Sequence, residues 1–74
     1  MKFHVSYGPH KRLVDLNVSD LSTFTQSVCQ NYQHLNHDNF IMQYYIQELD
    51  DWVDVDDIAL KEFDQNSVTK IKVQ

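Results

Sequence analysis

Residues 2–20, KFHVSYGPHKRLVDLNVSD, contain two alternating apolar patterns, a turn signal between them and a helix start after them. Apolar and polar residues alternate over residues 3–7 and again over residues 13–18, which is typical of half-buried strands. The pair Gly8-Pro9 holds the only glycine and the only proline of the chain, and both residue types favour turns. Ser19-Asp20 supplies N-cap side chains. The stretch therefore predicts a β-hairpin followed by a helix.

The rest of the chain predicts one helix and further strands. Apolar residues recur at spacings of three and four from Leu21 to Leu35, which predicts an amphipathic helix over about residues 20–34. Aromatic and branched residues then favour strands. The predicted later elements are a third strand at 40–46, a short fourth strand at 52–55, a brief helical turn at 58–63 and a closing strand at 69–73.

This order of elements predicts an α+β fold in one domain, residues 1–74. A single helix of this length can cover one face of a mixed sheet of four or five strands, in the order ββαββ(turn)β. The helix after the first hairpin then acts as a crossover, so we expect the last strand to pair beside the first. We also expect the chain to be the N-terminal domain of a longer protein.

Composition excludes several classes of function. The net charge of −5, from 6 basic and 11 acidic residues, argues against nucleic acid as the main partner, because phosphate binding needs a concentrated positive surface. No apolar run approaches the roughly 18–20 residues that span a bilayer, so we expect no membrane insertion. The single cysteine, Cys29, excludes an internal disulfide framework and fits a reducing, intracellular compartment.

The element order resembles the β-grasp, or ubiquitin-like, fold over the whole chain. Residues 45–55, YIQELDDWVDV, resemble the strand, acidic turn and strand of Phox-and-Bem and doublecortin-like interaction domains, although Gln47 stands where the former usually have Asp. Residues 48–54, ELDDWVD, also resemble the ubiquitin-like N-terminal domain of flagellar-pocket-collar scaffold proteins. The resemblance implies a cytoplasmic, cytoskeleton-associated scaffold whose N-terminal domain recruits a partner. Conjugated ubiquitin-like modifiers end in Gly-Gly, whereas this sequence has no glycine after Gly8, so we expect no conjugation.

Charge is distributed unevenly along the chain. Six acids fall within residues 48–57, which contain none of the six bases, and five of these bases lie in residues 2–12 and 70–72. We expect the acids to gather at the third and fourth strands, and the bases to share one region on the first, second and last strands. The acidic turn is either a solvated loop, a docking site for a basic partner, or half of a self-assembly contact. The candidate partner-binding residues are Tyr45, Glu48, Asp50, Asp51, Trp52 and Asp54 on the acidic, aromatic side, and Lys2, Lys11, Arg12, Lys70 and Lys72 on the basic side.

Trp52 has two alternative environments in the predicted fold. Alternation places it on the face opposite Val53 and Val55, where a partner could bury it as a hot spot. Alternatively, it folds back over the sheet edge or packs on Tyr44 or Tyr45. These two tyrosines are consecutive, so they point to opposite faces of a strand and only one belongs to the core.

The sequence offers little for catalysis or metal binding. Cys29 and His34 form the only nucleophile–base pair to consider, and their spacing does not bring them face to face on a helix. Cys29, His34 and His37 supply three zinc ligands at most, and the acidic segment lacks the glycine of a calcium-binding loop. We therefore expect a non-catalytic protein–protein interaction module without cofactor or metal. Head-to-tail self-assembly and a carrier or small-subunit role in an enzyme complex remain as alternatives.

Overall fold

A computed structural model describes residues 1–32 and 40–74, and these residues have an α+β fold with a five-stranded mixed sheet and two helices. The predicted helical turn near residue 58 is a second short helix. The elements are β1 (Lys2–Tyr7), β2 (His10–Asp15), α1 (Leu21–Asn31), β3 (Met42–Ile46), β4 (Asp51–Asp54), α2 (Asp57–Glu62) and β5 (Thr69–Val73).

The sheet has the strand order β2-β1-β5-β3-β4. Strand β5 lies in the centre, parallel to β1 and antiparallel to β3, whereas β1–β2 and β3–β4 are antiparallel hairpins. The predicted pairing of the last strand beside the first is confirmed. Because β2 and β4 form the two edges, the first hairpin and the second hairpin lie at opposite sides of the sheet.

The first hairpin is tighter than predicted. Tyr7 pairs with His10, so Gly8-Pro9 alone forms the loop, and Gly8 has a φ of 58°, which glycine adopts without steric cost. Pairing with β1 begins directly after this two-residue loop, so the second strand is His10–Asp15 rather than residues 13–18. The short turn, more than the apolar pattern, therefore sets where β2 begins.

Helix α1 begins where the sequence predicts and ends earlier. The Asp20 carboxylate caps it by accepting hydrogen bonds from the backbone N–H and the hydroxyl of Thr23, at 2.8 and 3.1 Å. The helix ends at Asn31, and the N–H of the next residue, Tyr32, donates to the carbonyl of Cys29. The end predicted near residue 34, and Leu35 with it, lie outside the described residues.

The core lies between one face of the sheet and both helices. Phe3 contacts Phe24 of α1 and Phe63, which follows α2, with ring centroids 5.4 and 5.3 Å apart. Tyr44 adds a further edge-to-face contact with Phe63 at 5.3 Å. The buried residues are Phe3, Val5, Leu16, Phe24, Val28, Tyr32, Ala59, Leu60, Ile71 and Val73. Both helices therefore cover the same side of the sheet, and we call the opposite side the outer face.

Candidate functional site

Tyr45 and Trp52 form an aromatic pair on the outer face. They stand opposite each other on β3 and β4, and their rings meet edge to face with centroids 5.4 Å apart. Both side chains are half-buried. The preceding residue, Tyr44, points to the core, as alternation predicts. Trp52 lies on the face opposite Val53, as alternation predicts, and it also packs on Tyr45, and part of the indole still contacts solvent.

Two lysines of the neighbouring strand β5 lie over these rings. The Nζ atom of Lys72 is 4.7 Å from the centroid of Trp52, and the Nζ atom of Lys70 is 5.7 Å from that of Tyr45. Such cation–π contacts contribute about 0.5–1 kcal/mol each at exposed sites. We call Tyr45, Trp52, Lys70 and Lys72 the aromatic–lysine patch. The sheet order thus joins residues from the two predicted candidate sets in one site.

Four acidic candidate residues border this patch, and we call them the hairpin carboxylates: Glu48, Asp50, Asp51 and Asp54. Hydrogen bonds hold three of them in place. The hydroxyl of Tyr45 donates to the carboxylate of Asp50, and this bond raises the pKa of Tyr45. Asp51 accepts from the backbone N–H of Trp52 at 2.8 Å, and Asp54 accepts from the side-chain amide of Gln43 at 3.1 Å. Glu48 is exposed in the hairpin loop. The acidic segment therefore helps to order the aromatic pair.

The second hairpin owes its shape to a four-residue loop, residues 47–50. Asp50 has a φ of 48°, in the left-handed region that Asp tolerates better than most side chains. Ile46 pairs with Asp51 to close the loop.

The last two acids of the acidic run, Asp56 and Asp57, bind helix N-termini. Asp56 caps α2 by accepting a hydrogen bond from the N–H of Ala59, and Asp57 accepts one from the N–H of Leu21 at the start of α1. Only part of the acidic run is thus available to a partner.

The sequence predicted that the basic candidate residues share one region of the sheet, but they lie on both of its faces. Lys11 and Arg12 are adjacent on β2, so strand alternation sends them to opposite faces. Arg12 lies on the helix side, where its guanidinium is 5.5 Å from the ring centroid of Tyr32 and donates to the carbonyl of Asn31 at 3.1 Å. The grouping is therefore wrong for Arg12. The basic residues on the outer face are Lys2, Lys11, Lys70 and Lys72.

Sequence reasoning missed three other outer-face residues. His4 pairs with Leu13 on one side and with Lys70 on the other, so the three form a row across β2, β1 and β5. Leu13 is 62% exposed, which is unusual for a large apolar side chain in the middle of a strand. Gln43 lies between Lys72 and Asp54. The alternation within each strand could have located all three, but only the sheet order places them beside the patch.

The described part of the chain offers no support for metal binding or for catalysis by Cys29. Within residues 1–32 and 40–74, no group of three or more His, Cys, Asp or Glu side chains is placed to hold a metal ion. His34 and His37 lie outside those residues. Cys29 is half-buried on α1, and burial raises the pKa of its thiol, which disfavours the reactive thiolate.

Neither of the two described helices is long and apolar enough to cross a membrane. Comparison of the chain with family models, with curated proteins and with solved structures finds no match. Function must therefore be inferred from the fold and from the outer face of the sheet.

Proposed function

We propose that the protein is a non-catalytic protein–protein interaction module that docks its partner on the outer face, at the aromatic–lysine patch. The observation that carries this proposal is the position of Trp52, half-buried against Tyr45 on a sheet face that neither described helix covers. Trp and Tyr are the residue types most enriched among binding hot spots. The hydrogen bonds and cation–π contacts around them hold the rings in place, so little side-chain entropy is lost on binding.

We further propose that the fold is β-grasp, or ubiquitin-like. Three features support this assignment: the strand order β2-β1-β5-β3-β4, the parallel pairing of β1 with β5, and α1 following the first hairpin and packing on one face. The resemblance of residues 48–54 to flagellar-pocket-collar scaffold proteins extends the proposal to a cytoplasmic scaffold associated with the cytoskeleton. In this proposal the domain recruits a partner and does not catalyse a reaction.

A peptide selection tests the docking proposal. The folded domain is used to select peptides from a phage-displayed random library, and their dissociation constants are measured by fluorescence polarisation. We expect Trp52→Ala to weaken the selected peptides at least tenfold, because truncating a hot-spot residue costs about 2 kcal/mol or more. Ile58→Ala is the matched control, since Ile58 is 67% exposed on α2, away from the patch. Equal binding to wild type and Trp52→Ala would contradict the proposal, as would a selection without enrichment.

Head-to-tail self-assembly is the second candidate function. It is favoured by the presence, on one molecule, of four outward-facing lysines and of the hairpin carboxylates at the β4 edge. Copies could then bind one another through unlike surfaces, which builds filaments when the rotation does not close. Sedimentation velocity from micromolar to millimolar protein tests this candidate. Growth in size with concentration that salt reverses would support it, and a monomer at every concentration would exclude it.

A further inference from the structure

We propose that the outer face binds an acidic, extended segment of a partner protein, with carboxylates of the segment on Lys70 and Lys72 and an apolar side chain on Trp52. This inference deepens the proposed function and rests on it. The hairpin carboxylates had suggested a basic partner from sequence. The folded arrangement favours the opposite charge, because the aromatic pair faces lysines.

Charge is segregated between the outer face and the rest of the surface. Four of the six basic residues point outward from the sheet: Lys2, Lys11, Lys70 and Lys72. On the outward strand positions of residues 1–32 and 40–74, the acidic residues are Asp15 and Asp54. Asp15 is paired with the amino group of Met1 at 2.7 Å, which lowers its pKa. In a chain with a net charge of −5, this face is therefore locally positive.

The described residues provide no hydrogen-bond acceptor for the ammonium groups of the two patch lysines, Lys70 and Lys72. Within the described residues, the only ion pair joins the amino group of Met1 to Asp15. Lys70 and Lys72 contact aromatic rings instead, and a ring face satisfies none of the three N–H donors of an ammonium group. An incoming carboxylate can accept these donors without breaking an ion pair within the described protein. Binding would then add charge-assisted hydrogen bonds to those that the described residues make in the free protein.

The spacing of the lysines indicates the form of the segment. Lys70 and Lys72 are two residues apart on one strand, so their backbone positions are separated by about 6.6–6.8 Å. Acidic residues at alternate positions of an extended segment have the same spacing. The residues between the acids point away from the sheet, so the apolar side chain that contacts Trp52 must lie on the same face of the segment as the acids.

The same face is poorly suited to a continuous polyanion. The hairpin carboxylates border the patch, with Asp50 bound to Tyr45 and Asp54 bound to Gln43. A nucleic acid or an anionic membrane would extend past the lysines and meet these acids, and neither would gain from a net charge of −5. A short protein segment can place its charges on the lysines alone.

The test uses two short peptides of opposite charge, Ac-EVEVL-NH2 and Ac-KVKVL-NH2, in which the leucine lies on the same face of the extended peptide as the charged residues. Trp52 is the only tryptophan of the chain, so its fluorescence reports binding at the patch itself. Amide chemical shifts of the ¹⁵N-labelled domain locate the contact. We expect saturable changes at Trp52, Lys70 and Lys72 with the acidic peptide only. Changes confined to residues 48–54 with the basic peptide would overturn the inference, as would equal effects of both peptides.

Charge reversal separates a specific contact from general attraction. We expect Lys70→Glu with Lys72→Glu to weaken the acidic peptide at least tenfold. Lys61→Glu is the control, because Lys61 is an exposed base on α2, on the opposite side of the sheet, and should change binding less than twofold. Equal weakening by the control would overturn the inference. Tighter saturable binding to a 20-base-pair DNA duplex or to phosphatidylserine vesicles would also overturn it.

Failure of the inference is distinguishable from failure of the proposed function. If selected phage peptides require Trp52 but the acidic peptide does not bind, the face docks a partner of other chemistry and only the inference fails. If neither binds at Trp52, both fail. Salt-sensitive self-association that is lost both in Lys70→Glu/Lys72→Glu and in Asp50→Lys/Asp51→Lys would identify a second copy as the occupant, and would overturn the inference of a separate partner.

Discussion

The same strands present two faces with opposite organisation. On the helix side, Phe3, Val5 and Ile71 are fully buried under α1 and α2. On the outer face, the intervening residues His4, Lys70 and Lys72 remain at least partly exposed, and the two lysines contact aromatic rings. Buried core residues and exposed residues therefore alternate along these strands, and the proposed docking uses the exposed set. Substitutions on the two faces should therefore separate folding from binding.

The largest loss of stability should come from a substitution on the helix side of the sheet. Phe24→Ala removes a fully buried ring that contacts Phe3 and Phe63, and such truncations reduce the free energy of unfolding by about 3–5 kcal/mol. That loss approaches the whole stability of a domain this small. On the outer face, Leu13→Ala should change it by less than about 0.5 kcal/mol. Urea unfolding measures both, and equal losses would remove the distinction between the two faces.

Substitutions of two adjacent basic residues, Lys11 and Arg12, should differ by a smaller amount in the free energy of unfolding. Arg12→Met loses the contact with Tyr32 and the hydrogen bond to Asn31, so we expect it to lower the free energy of unfolding by about 1 kcal/mol. Lys11→Met keeps a similar stem on the outer face and should change it by less than about 0.5 kcal/mol. Urea unfolding of both variants measures the difference. If Lys11→Met were the more destabilising, the assignment of Arg12 to the helix side would be wrong.

The sequence predicted the elements better than their long-range contacts. Alternation predicted that Tyr44 and Tyr45 lie on opposite faces, which is confirmed, and the closing strand predicted at 69–73 agrees with β5 as observed. The order of elements predicted that the last strand pairs with the first, but it did not predict that β5 also pairs with β3. The contact of Lys72 with Trp52 depends on that second pairing, and the position of Arg12 on the helix side depends on the register of β2 with β1. The four residues of the aromatic–lysine patch could therefore be named from the sequence, whereas the contacts between them could not.

Acid should weaken the helix side through the cap of α1. The hydrogen bond from the Thr23 N–H holds the pKa of Asp20 below its ordinary value of 3.8, so this carboxylate stabilises the fold above pH 3.8. That contribution is lost as the pH falls through the lowered pKa, because protonation removes the charged acceptor. Asp20→Asn keeps a good N-cap without the titration. We expect thermal unfolding between pH 2 and pH 5 to be less pH-dependent in this variant, and an unchanged profile would contradict the assignment.

The smallest effect concerns the outer face and appears in alkali. The pKa of Tyr45 is raised above its ordinary value of 10.0 because its hydroxyl donates to the carboxylate of Asp50, which favours the protonated phenol. A raised pKa in the folded state contributes stability below pH 10 that is lost as the pH rises through the folded value. Asp50→Asn removes the negative charge and should lower the pKa of Tyr45, measured from its ring chemical shifts by NMR. Asp54→Asn, which alters the contact with Gln43 instead, should shift it less. If both variants lowered the pKa of Tyr45 equally, the general negative charge of the hairpin, and not the hydrogen bond to Asp50, would be its cause. The ring of Tyr45 would then lack this restraint, and the aromatic–lysine patch would be less fixed before binding than its geometry indicates.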